Sequence, residues 1–108
     1  MKLLIAIINS DDSHKVLGEI TKAGFYATKL STTGGGLRTG NLTLLMGVED
    51  DKVDELLELL RTNCRKREEL TSVISPYDTG IMSAAIPVNI TVGGATVFVV
   101  DVEQFHKM

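Results

Sequence analysis

Apolar residues run unbroken from Leu3 to Ile8 and are partly β-branched, the pattern of a central strand covered on both faces. Polar Asn9-Ser10-Asp11-Asp12 stops this strand and offers helix N-caps, and Val16, Leu17, Ile20 and Ala23 then share one helical face up to Gly24. From Phe25 to Thr33 the period changes to two, with Tyr26, Thr28, Leu30 and Thr32 on one side and Phe25, Ala27, Lys29 and Ser31 on the other. A glycine-rich loop, Gly34 to Gly40, leads into a second alternating run, Asn41 to Val48, so the two strands read as a hairpin. Val53, Leu56, Leu57 and Leu60 restore the helical period, predicting a helix from Asp50 to about Cys64 with acids in its first turns and Arg61 near its end. Glu68 to Ala85 shows no clear period and reads as a long irregular loop that docks apolar residues on its own domain or a neighbour. Val88 to Val92, Gly93-Gly94 and Val97 to Asp101 read as a closing hairpin with a glycine turn, and Glu103 to Met108 as one helical turn.

The predicted order is β-α-β-β-α-β with the last strand doubled into a hairpin, an α+β, ferredoxin-like arrangement in a single domain over residues 1–108. With both helices on one face of an antiparallel sheet, the other face is bare although its residues are apolar. Oligomerisation through that face is the economical cover.

Composition narrows the classes. The 108 residues are 44% hydrophobic and 23% charged, enough for one core without metal or disulfide staples. A formal net charge of −3 argues against a coat for DNA or RNA but not against one bound nucleotide. The longest apolar run is too short to span a bilayer, and the lone Cys64 cannot close an internal bridge, so a cytoplasmic protein is expected. His14 and His106 stand in no metal-ligand array, and no nucleophile, base and orienter assemble into a catalytic set, so neither a metal nor an enzyme activity is expected.

The Gly34 to Asn41 loop joins two strands, which excludes a dinucleotide fingerprint, and it lacks the lysine of a phosphate-binding P-loop. Its free backbone N–H groups and Arg38 can cup a phosphate, or the loop can be a plain hairpin tip with a solvated guanidinium. Thr28, Thr32, Thr33 and Asn41 could hydrogen-bond a base or ribose, though threonine is also an ordinary strand residue. Phe98 is either a stacking ring or core. Gly93-Gly94 serves a turn. Cys64, beside Arg65, Lys66 and Arg67, is either an activated thiolate or an inert, half-buried thiol at a helix end, the second being preferred.

Several segments taken together carry a resemblance: Ala27-Thr28-Lys29-Leu30, Thr32-Thr33-Gly34-Gly35, Leu37-Arg38, Gly40-Asn41, Gly47-Val48 and Val92-Gly93-Gly94-Ala95-Thr96-Val97-Phe98-Val99. They resemble the PII-like cyclic-di-AMP receptors of Gram-positive bacteria along the whole chain. The resemblance implies a homotrimer that binds cyclic di-AMP, or another adenine nucleotide, between subunits and signals to a protein target without catalysis. It implies a T-loop at about 34–41 and a B-loop at about 65–86, and ligand contacts from Thr28, Gly35, Leu37, Arg38, Asn41, Gly47 and Phe98. Three positions depart: receptors of this kind carry Asn and Arg beside the Phe25 position and an aromatic in the glycine loop, where this chain has Gly24, Tyr26 and Gly36. Loss of one stacking ring costs on the order of 1 to 3 kcal/mol. A PII-like interaction module that has lost cyclic-di-AMP binding is the alternative.

Overall fold

The computed structural model describes residues 1–30, 40–74 and 85–108. The opening apolar run is strand β1 (Lys2–Asn9), and β3 (Asn41–Val48) pairs with it antiparallel along its whole length, from Lys2 opposite Val48 to Asn9 opposite Asn41. β2 (Thr28–Leu30) lies outside β3, and β6 (Ala95–Asp101) lies on the other flank of β1, giving the order β2-β3-β1-β6. Among the described residues both outer strands are hydrogen-bonded on one side only. Lys2 and Asp101 pair by charge at one end of the β1–β6 ladder.

Helix α1 (Ser13–Lys22) follows a 3-10 turn, Ser10–Asp12, in which the Asn9 side chain accepts a hydrogen bond from the Asp11 backbone N–H at 2.8 Å. Its end is a Schellman closure: the Phe25 N–H donates to the Ile20 carbonyl and the Gly24 N–H to the Thr21 carbonyl, both at 3.0 Å. This needs Gly24 at φ +88°, a left-handed conformation that L side chains rarely adopt, and it tucks Phe25 beneath the helix. Helix α2 (Val53–Asn63) is likewise preceded by a 3-10 turn, Asp50–Lys52. Val16 and Ile20 of α1 and Leu56 and Leu60 of α2 cover one face of the sheet, burying Leu4, Ala6 and Ile8 of β1 with Leu42, Leu44, Met46 and Val48 of β3.

The alternate residues face away from the helices. By register, Thr28, Leu45, Ile5 and Phe98 form one row across all four strands, flanked by Gly47, Leu3 and Val100 on one side and Leu30, Thr43, Ile7 and Thr96 on the other. Ile7, Leu30, Phe98 and Val100 are exposed there. In the single chain β1 is therefore covered on one face, where the sequence suggested both.

Three expectations need correcting. Residues 68–74, read as the start of an irregular loop, belong to strand β4 (Arg67–Ile74), and β5 (Ala85–Val92) pairs with it from Arg67 opposite Val92 to Ile74 opposite Ala85. The strand read as one arm of a closing hairpin thus pairs backwards, with β4 instead of β6, and Gly93-Gly94 is the passage from this two-stranded arm into the main sheet. The reason is steric: a Cβ at Gly93, φ +86°, would sit 2.3 Å from the Arg65 carbonyl oxygen, so glycine lets the two chain segments touch at the arm's base. Finally, Glu103 to Met108 makes no helical turn. The four strands of the main sheet and the two helices keep the ferredoxin-like order, with the β4–β5 arm inserted before the last strand.

Candidate functional site

Among the residues singled out by sequence, Thr32, Thr33, Gly34, Gly35, Gly36, Leu37 and Arg38 lie outside the described residues. The others fall in three places. Gly24, Tyr26 and Gly47 meet around a hollow of about 260 Å³ at the β2 edge, rimmed by Glu49, Lys52 and Glu55. Tyr26 is 87% exposed, and nothing lies within 4 Å of where a Cβ on Gly24 would stand, so the hollow is open where a larger side chain would close it. Asp50 lies close by; the hydrogen bond and charge of the Met1 amino group, 2.9 Å from its Oδ1, hold its carboxyl below the ordinary range.

Thr28 belongs to this edge, two residues beyond Tyr26. Phe98 is on the opposite edge of the sheet, 54% exposed, and three ladder spacings from Thr28, or about 14 Å at roughly 4.8 Å per strand. Phe98 is therefore not core, the reading its chemistry left open. Asn41 opens β3 at the end remote from Gly47, opposite Asn9, on the same uncovered face.

Asn41 also lines a second cleft, of about 570 Å³, between the ends of β1 and β3 and the base of the arm. The Ser10 N–H to Gly40 carbonyl bond, 2.6 Å, closes one wall. Asn9, Lys66, Thr91 and Thr96 supply the polar lining with Asn41. No motif singles out Lys66 or Asn9: the β1–β3 register sets Asn9 opposite Asn41, and Lys66 reaches the cleft at the base of an arm that the irregular-looking 68–85 segment conceals.

Arg67 fixes the arm's base from below: its Nη1 lies 3.1 Å from Asp12 Oδ1, and Asp12 is largely buried. Cys64, beneath the same junction, is buried, and burial pushes its thiol up from 9.0 to about 11, with Asp12 adding to the rise against Arg67 and Lys15. Burial and the raised thiol go with the inert cysteine, the reading preferred from the sequence. Among the described residues no group of three or more His, Cys, Asp or Glu could hold a metal, and no helix is long and apolar enough to cross a membrane.

A ferredoxin-like sheet with an inserted two-stranded arm fits a PII-like signalling class, and comparison with known proteins agrees. The family model described as "Cyclic-di-AMP receptor" matches residues 1–108, and the chain belongs to that family. It is 32% identical to the nitrogen fixation nifHD region GlnB-like protein 1 of Methanothermococcus thermolithotrophicus, in a match covering 58% of this chain and 72% of the relative. A crystal structure of a functionally unknown protein from Pediococcus pentosaceus superposes with a TM-score of 0.72 at 38% identity, covering 99% of this chain and 96% of that one.

Proposed function

We propose that this chain is a non-enzymatic, cytoplasmic signal-transduction protein that binds cyclic di-AMP or another adenine nucleotide at the clefts of a homotrimer. Loops at about 34–41 and 65–86 respond to the ligand and signal to a protein target. Thr28, Gly35, Leu37, Arg38, Asn41, Gly47 and Phe98 make the contacts, with Gly24, Tyr26 and Gly36 at the substituted positions. Family membership supports the ligand class. The observation that carries the reading is the row from Thr28 to Phe98: two candidate contacts stand about 14 Å apart on opposite edges of one apolar, uncovered face. One nucleobase cannot touch both in one chain, whereas packing that face against other copies brings the β2 edge of one chain toward the β6 edge of the next.

Calorimetric titration with cyclic di-AMP, ATP, ADP and AMP is the test. Heat with cyclic di-AMP, at one ligand per interface, is expected; no heat with any of the four at high micromolar concentration rules the reading out.

The open hollow at Gly24 and Tyr26 favours a second reading, a PII-like interaction module that no longer binds the nucleotide and docks a partner through the arm, where Leu70 and Ile90 are exposed. A pull-down that retains the same partner after Arg38 and Asn41 are both changed to alanine would select it.

A further inference from the structure

The hollow at Gly24 and Tyr26 and the cleft at the arm's base differ in charge. The one at Gly24 and Tyr26 is rimmed by two carboxylates, Glu49 and Glu55, against one ammonium, Lys52, which is already paired with Glu55 at 3.6 Å. The cleft at the arm's base has no carboxylate among its described lining residues, in a chain with 14 acidic and 11 basic side chains, and its one charge is Lys66. Lys66 makes no ion pair or hydrogen bond with another described residue. Its aliphatic stem lies across Gly94, where an added Cβ would come within 3.0 Å of Cγ. The glycine thus lets the stem lie flat against the backbone. The same cleft is lined by neutral donors: Thr91, Thr96, Asn41, and Asn9, whose Oδ1 is engaged by Asp11 so that its amide nitrogen is left to donate. An unpaired cation in a concave site with no competing carboxylate attracts anions, and a ring of donors selects one with several acceptor oxygens.

We infer that the arm-base cleft holds a phosphate of the bound ligand, with Lys66 as its counter-charge. This rests on the nucleotide reading above and adds to it a residue, Lys66, on the cleft at the Asn41 end of β3. Because Lys66 lies between the end of α2 and the first residue of β4, a phosphate held there also bears on the base of the arm.

The test is titration calorimetry on the full chain, comparing wild type with Lys66→Met, which keeps the stem over Gly94 and removes the charge, and with Lys66→Arg. The probes are cyclic di-AMP, AMP, uncharged adenosine and inorganic pyrophosphate. A hydrogen bond to a charged group is worth about 10- to 100-fold in affinity. Lys66→Met is expected to weaken cyclic di-AMP by that factor and to flatten its salt dependence, with Lys66→Arg restoring most of the binding and any adenosine affinity unchanged. If cyclic di-AMP binds wild type and Lys66→Met equally, the inference is overturned while the nucleotide reading stands. If no nucleotide binds but pyrophosphate binds through Lys66, the nucleotide reading falls and the phosphate cleft stands. If no probe binds wild type, both fall.

Discussion

Gly24 answers to two demands, the left-handed turn that ends α1 and the hollow beside Tyr26. Alanine at that φ is expected to cost about 1 to 2 kcal/mol. Asparagine, whose short amide tolerates the left-handed region, should cost less and meets open space. Gly24→Asn also restores the residue that cyclic-di-AMP receptors resembling this chain carry there. Its melting temperature should fall by less than that of Gly24→Ala, and its affinity for cyclic di-AMP should rise; thermal melts and calorimetry on both variants check the pair. Cys64 gives a pH signature. The thiol deprotonates near 9 in the unfolded chain but holds its proton to about 11 when folded. Its contribution to stability is therefore complete below pH 9 and is lost as pH rises from 9 toward 11. Urea midpoints across that window should fall faster for the wild type than for Cys64→Ala, and iodoacetamide should label the native thiol more slowly than a free cysteine at pH 8.

At the scale of elements, β1, α1, β3 and α2 were legible because each has one face on the core, and burial on one face imposes a period on the sequence. The β4–β5 arm is a separate two-stranded sheet. Leu70 is 72% exposed within it, and the arm pairs as a two-stranded ribbon apart from the main sheet, so no alternation against the core is there to read. Gly93-Gly94 misled for a related reason: positive φ fits a tight hairpin and equally a close crossing of two segments, and only the Arg65 carbonyl distinguishes them. The candidate contacts were legible as residue types, but their distribution over both edges of the sheet depends on register, which no motif states. The arm's anchorage is testable. Asp12→Asn removes the charge opposite Arg67 and should cost on the order of 1 kcal/mol, between an exposed pair and a buried one. Faster hydrogen exchange at the β4–β5 amides, with β1 and β3 unchanged, is the expected pattern. The same substitution should lower the Cys64 pKa, since Asp12 contributes to raising it.

For the whole molecule, the proposed assembly rests on the uncovered face. A charge at Ile5, in the middle of the Thr28 to Phe98 row, points away from the helix-side core, so Ile5→Glu should leave the helical circular dichroism intact. Light scattering should show the proposed trimer reduced to monomer, and cyclic di-AMP binding should vanish with it although no proposed ligand contact has been altered. The edge-to-edge span of that row has a quantitative consequence. A ligand bridging Thr28 of one copy and Phe98 of the next is a property of a junction. A closed ring has as many junctions as subunits, whereas an open pair has one junction for two subunits. Dilution that opens rings would destroy sites faster than it unfolds protein, and saturating nucleotide would hold rings closed by mass action. Apparent affinity would then depend on protein concentration, and the messenger would act as a clasp for the oligomer that reads it.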